Sequence, residues 1–225
     1  QTLALLDHPN VARMDSIHPM EGMSVSGIEV AAGTQTQQFI DAGYMGDANI
    51  GSEGRLVGAL LDLYTIDDNH PGCKDNSYLW RMSYRRNCDN GSCSYQAGWY
   101  ASPYPHPTIM GQVMAGDLTE GQDPAVTDST ERQRYSGLAR EALIQFWYAI
   151  GAEDVETALD DIITFDPHVL LLPVGSYGAG ADPYCLGETS MSRAVNDVFE
   201  AGIPVFVAAG NAGHADPDDC TIAEP

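Results

Sequence analysis

The sequence is poor in positive charge, and that shortage is its first constraint. Ten Lys and Arg stand against 32 Asp and Glu, a formal charge of −22. So acidic a chain excludes nucleic acid and anionic membrane surfaces as partners, because both would repel it. Long apolar runs are missing as well. None approaches the ~18–20 residues of a membrane helix, so no membrane span is expected, and no Lys/Arg-led signal peptide opens at Gln1. No C-x-x-C or H-x-x-x-H spacing occurs, which sets zinc aside. Internal repeats and low-complexity tracts are also absent.

What is present describes a globular protein. With 225 residues, 44% hydrophobic and 19% charged, the chain is long enough to bury a full core in one domain. The acidity reads first as a hydrated surface, and second as loops whose carboxylates bind calcium. Five cysteines point to an oxidising compartment, hence to a secreted or periplasmic protein. Cys88 and Cys93 bracket Asn90-Gly91, a strong hairpin signal, and such a turn brings its flanks within disulfide reach. Cys185 and Cys220 each follow a Gly-rich strand exit and could meet across neighbouring loops. Cys73 is then left over, either as a thiol or with a partner outside this chain.

Strand and helix patterns alternate, which predicts an α/β protein with a mostly parallel sheet and helices on both faces. Residues 1–27, irregular and rich in Met, His and Pro, read as an N-terminal extension, and 28–225 as the domain. A helix is expected over Ile28–Tyr44, a strand over Leu56–Leu61 ending at Asp62, and loops with a hairpin over Asp67–Tyr104. Thr108–Gly116 has the small and apolar spacing of a buried helix, and Asp117–Arg134 is acidic and loop-like. Ala142–Tyr148 reads as a strand and Asp154–Thr164 as a helix with Val155, Leu159, Ile162 and Ile163 inward. Val169–Val174 is a further strand. Glu188–Ala201 is a helix with Met191, Val195, Val198 and Phe199 on one side and Gly202 as its cap.

The most informative stretch is Ile203–Gly213, I-P-V-F-V-A-A-G-N-A-G. Its apolar start reads as a buried strand that drops through Ala208, Ala209 and Gly210 onto one amide, Asn211. Small residues there clear the way for a ligand backbone, and open parallel sheets bind ligands beyond their strands' carboxyl ends. Two other element ends present polar groups that fit with it. Asp62 closes L-V-G-A-L-L-D, where a carboxylate can orient a histidine. His106 opens P-H-P-T-I-M-G-Q-V-M-A-G, with Pro107 suited to a first helical turn. Asp7, in L-A-L-L-D-H-P, competes with Asp62 but falls in the extension. A carboxylate, an imidazole and an oxyanion donor together form the equipment of acyl transfer.

Over Ile28–Pro225 the chain resembles the subtilisin-like serine proteases. Their Asp segment is similar to G-A-L-L-D-L-Y-T-I-D-D-N-H-P and implies a catalytic Asp62. Their H-G-T-H-V-A-G helix resembles H-P-T-I-M-G-Q and implies His106 as the base. Their substrate-lining strand resembles Leu172-Pro173-Val174-Gly175, and their A-A-G-N segment stands unaltered as Ala208–Asn211. The resemblance implies a three-layer subtilisin-like fold, incomplete at its C-terminus. It also implies an endopeptidase whose peptide or protein substrate lies along Val174, Gly175, Ala209 and Gly210 as an added strand. Structural calcium is a further implication, with the acidic stretches Asp117–Glu131 and Asp67–Asp75 as its places.

The departures are specific. Leu63-Tyr64 replace small residues after the Asp, and Pro107, Ile109 and Gln112 replace a Gly, a His and a Gly around the base. The G-T-S nucleophile motif is not found after Asn211, and G-E-T-S-M-S-R at Gly187–Arg193 precedes that residue within an expected helix. The expectation is a serine on a segment beyond residue 225, the C-terminal remainder of the domain on the same or a second chain. This chain alone would then be inactive. The alternative is an inactive subtilase-fold module that binds peptides. A nucleotide-binding reading of G-S-Y-G-A-G fails, because the spacing does not continue as G-x-G-x-x-G requires.

Overall fold

The computed structural model describes residues 38, 42, 55–67, 69–73, 82–97, 100, 102–117, 136–175 and 189–209. The proposed extension over 1–27, nearly all of the helix expected at Ile28–Tyr44, Cys185 and Cys220 lie outside these residues. Six strands form one sheet: β1 (Val57–Asp62), β2 (Met82–Asp89), β3 (Ser92–Tyr95), β4 (Leu143–Ala149), β5 (Val169–Leu172) and β6 (Val205–Val207). Their order is β3-β2-β4-β1-β5-β6. All neighbours run parallel except the β2–β3 hairpin.

Among the described residues three α-helices cover the sheet, one on one face and two on the other. They are α1 (Pro105–Ala115), α2 (Ala152–Phe165) and α3 (Ser190–Glu200). Because strand side chains alternate, Ala59, Leu61 and Trp147 point to the α2–α3 side. There they meet Val155, Ala158, Leu159 and Ile162 of α2 with Val195 and Val198 of α3. Leu60, Ile144 and Phe146 point the other way, into a cluster with Ile66, Cys73, Tyr100 and Ala115 of α1. In α2 the buried positions 155, 158, 159 and 162 follow the helical spacing read from the sequence. Thr189 caps α3, its Oγ1 accepting the Ser192 N–H at 3.1 Å. The T-S-M stretch is thus a helix start. Gly202, at φ 97°, turns the chain out of α3.

Three expectations need correction. The region Asp67–Tyr104 was expected as loops with a hairpin, but β2 runs for 8 residues and pairs in parallel with β4. Its polar Arg85, Arg86 and Asn87 hid it, because their partners come from elsewhere in the fold. Phe199 is not on the buried side of α3 but 65% exposed, a full helical step round from Val198. Finally, the buried strand at Ile203–Val207 is a 3-residue strand whose Phe206 and Val207 are exposed. Among the described residues β6 is the outermost strand and has a partner on one side only. Only Ile203 of that run is fully inside, at 2% exposure.

The hairpin was legible in detail. Asn90 and Gly91 have φ of 52° and 71°, the positive pair a type I′ turn requires, and Cys88 and Cys93 pair across it as a disulfide. Closing so short a loop is worth about 2 kcal/mol by chain entropy. Replacing both cysteines by Ser should therefore lower unfolding stability by about that amount, as read by denaturant titration. A loss below a few tenths would mean that the hairpin is held by its ladder and turn alone.

Candidate active site

Asp62 is the last residue of the central strand β1, flanked by β4 and β5, and it is fully buried. A carboxylate at that depth needs partners for both oxygens. Oδ1 accepts the Tyr64 backbone N–H at 3.0 Å, and Oδ2 lies 2.7 Å from His106 Nδ1. The bond to Tyr64 is a main-chain one, so the bulky Leu63-Tyr64 pair keeps the carboxylate held. Since an ionised carboxylate only accepts, Nδ1 carries the proton. The lone pair of the imidazole is then left on Nε2, at the opposite side of a ring whose side chain is 39% exposed. The hydrogen bond to Asp62 raises the His106 pKa above its ordinary value, partial burial opposes that, and the Asp62 charge adds to it.

The helix start that carries His106 is built from unusual parts. Pro105 and Pro107 occupy its first turn after the extended Tyr104 cap, which makes no side-chain capping bond. Proline removes N–H groups that a helix start leaves unpaired in any case. Thr108 supplies the order: its Oγ1 donates to the Tyr104 carbonyl at 2.9 Å and accepts the Asp67 N–H at 2.8 Å. The Tyr104 N–H in turn donates to the Thr65 carbonyl at 2.7 Å. These bonds lace the loop after β1 to the start of α1, so Asp62 and His106 are fixed relative to each other. The sequence reading gave Thr108 no role; a Thr in a helical first turn, able to bond back to a carbonyl, was the available signal.

Gln112, standing where the resembled helix has a Gly, is accommodated by two glycines. A Cβ on Gly72 or Gly116 would overlap its amide oxygen. The Gln112 amide N–H reaches the buried Cys73 sulfur at 3.1 Å, so Cys73 is a packed thiol. Gly111 lets the helix lie close to the sheet: a Cβ there would come within 3.1 Å of Ile66 and 3.6 Å of Leu60.

The proposed substrate strand is only partly in view. Leu60 aligns with Leu171, and Leu171 with Phe206. Asp62, Val174-Gly175 and Ala209 therefore all leave the sheet at one edge, the carboxyl ends of its parallel strands. Val174 is partly buried, Gly175 and Ala209 are exposed, and the Ala208 N–H donates to the Leu172 carbonyl at 3.0 Å. β5 stops at Leu172, short of the Val174 end expected from sequence, because Pro173 has no N–H for the ladder. Gly210 and Asn211 lie outside the described residues. Among the described residues no group of three or more His, Cys, Asp or Glu could hold a metal ion, and no helix is long and apolar enough to cross a membrane.

No family model and no curated protein matches the chain. Among solved structures it is similar to the Prenylagaramide maturation protease PagA, at 14% identity and a TM-score of 0.50 over 78% of this chain. It is also similar to the Clostridium perfringens CspB protease, at 14% identity and a TM-score of 0.55 over 79% of this chain. The chain has a subtilisin-like α/β fold. It spans about half of the first structure, 51%, and 38% of the second. At such low identity the likeness carries the fold and no residue's role.

Proposed function

We propose that this chain supplies the aspartate and histidine of a serine endopeptidase whose nucleophile lies on a segment beyond residue 225. The observation that carries the reading is the 2.7 Å bond from a fully buried strand-end Asp62 to His106 Nδ1, which leaves Nε2 as the proton acceptor. In the reaction His106 takes the serine proton as the oxygen attacks a peptide carbonyl. Asp62 stabilises the imidazolium, Asn211 and a backbone N–H bind the tetrahedral oxygen, and His106 then protonates the leaving amine. The substrate chain pairs along Val174-Gly175 and Ala209-Gly210. The exposed Phe206 and Val207 are surface that the adjoining segment, on the same or a second chain, would cover.

A secreted or periplasmic setting and structural calcium belong to the same proposal. The calcium would be held from the acidic stretches Asp117–Glu131 and Asp67–Asp75, both of which extend beyond the described residues. The function is tested with a fluorophosphonate probe on the complete protein. The serine should be labelled, and His106→Ala should abolish labelling. A complete protein that carries a downstream G-T-S motif yet never reacts would sink the peptidase reading in favour of the inactive peptide-binding module.

A further inference from the structure

Two tyrosines stand beside the Asp62–His106 pair in positions that the chemistry does not require. Tyr64 comes shortly after Asp62, and Tyr104 shortly before His106. Their rings stack, with centroids 4.3 Å apart and planes 20° from parallel. Stacked aromatics usually hide in a core, where their area is most stabilising. Here Tyr64 is 47% and Tyr104 50% exposed. Nor is the stack needed to join its two loops. The Tyr104 N–H already donates to the Thr65 carbonyl, and Thr65 Oγ1 to the Ser102 carbonyl, each at 2.7 Å. The backbone that carries the rings is thus held in place, while about half of each tyrosine stays exposed, so little backbone freedom is left to lose on contact.

We infer that Tyr64 and Tyr104 form an aromatic platform that receives a substrate side chain next to the scissile bond and selects a flat aromatic ring: Phe, Tyr or Trp. The inference rests on the peptidase reading, which brings a peptide carbonyl to His106. The chain on either side of that carbonyl must pass the residues flanking the pair. The exposed positions flanking Tyr104 in the chain, Ser102, Pro103 and Pro105, carry no charge, so next to the rings they offer small and apolar edges. An offset ring on the outer tyrosine face would complete a three-ring stack.

The test uses the complete protein and peptides that differ only in the residues flanking the scissile bond. For wild type, kcat/KM should be higher with Phe than with Ser there. In Tyr64→Ser/Tyr104→Ser that ratio should fall about threefold to tenfold, the range of one aromatic contact. Tyr64→Phe/Tyr104→Phe should keep it. The same peptides are titrated against His106→Ala with and without the serine substitutions, reading Kd by fluorescence anisotropy, and the Phe-over-Ser ratio should fall alike. Ratios that stay unchanged in both assays, or a wild-type preference for Lys or Arg, would overturn the platform. A protein that cleaves nothing and takes no probe would fail the peptidase reading instead, and the binding titration would still decide the platform.

Discussion

On the proposed peptidase function, replacing Asp62 by Asn in the complete protein should lower kcat by roughly 10⁴-fold, the effect of the same exchange in an unrelated triad protease, and move the acid limb of the pH profile. The change is nearly isosteric, so its effect lies in where the protons sit. Wild-type Asp62 accepts twice, from the Tyr64 N–H and from His106. An asparagine that keeps the Tyr64 bond with its carbonyl turns its NH₂ toward His106. Nδ1 must then be the acceptor, the proton moves to Nε2, and the proposed proton acceptor can no longer take one.

The pH dependence follows from the same bond. Asp62 raises the His106 pKa, and only the neutral ring is a base, so activity falls as pH drops through that raised value. Without the carboxylate the limb should shift to lower pH. Stability runs the opposite way. A histidine whose folded pKa is raised adds stability in full below its unfolded value and loses it as pH rises through the folded one. The pair therefore stabilises the fold most at the pH where the proposed activity is lowest. Rates of the Asn variant measured across pH decide the matter: an even loss with an unmoved limb would mean that Asp62 only supports the strand end.

The parts of the fold visible in the sequence are those whose physics is local. The buried β1 and β4 and the spacing in α2 announce themselves because one face, or both, must be apolar. The Asn90-Gly91 hairpin does so because few residues tolerate its backbone. β2 was missed because its meaning is distant: Arg86 is a strand residue only by virtue of Asp161, 75 positions away. Phe206 misled in the other direction. An apolar run implies burial only when something lies on both sides, and β6 has one described neighbour. At the site, element ends made Asp62 and His106 candidates and the family resemblance paired them across 44 positions, and the fold brings them within 2.7 Å. The Tyr64–Tyr104 stack could not be foreseen, since it depends on how two loops are laced rather than on any spacing within either.

Asp161→Ala should be a strongly damaging change away from the site, costing roughly 2–4 kcal/mol, somewhat less than removing one partner from a fully buried ion pair. Asp161 Oδ2 accepts from the indole Nε1 of Trp147 and from Arg86 Nε, both at 2.8 Å, and Oδ1 accepts from Arg86 Nη2 at 2.6 Å. Trp147 is fully buried, and the Arg86 side chain is only 15% exposed. Alanine leaves an indole N–H and most of a guanidinium with no acceptor where water has little access. Arg86 cannot simply swing out, because Nη2 also donates to the Cys93 carbonyl at 3.0 Å and the group lies 5.2 Å from the Phe165 ring centre. The network ties β2 to α2, and with it the β2–β3 edge to the rest of the sheet. A fall in unfolding midpoint on the order of 10 °C is expected. Asp161→Asn, which keeps one acceptor oxygen, should fall between the two. The His106 acid limb should stay where it is in both variants, because Asp161 acts on the opposite face of the sheet from α1. A midpoint within about a degree of wild type would show that solvent reaches Arg86 and Trp147 more freely than their burial implies.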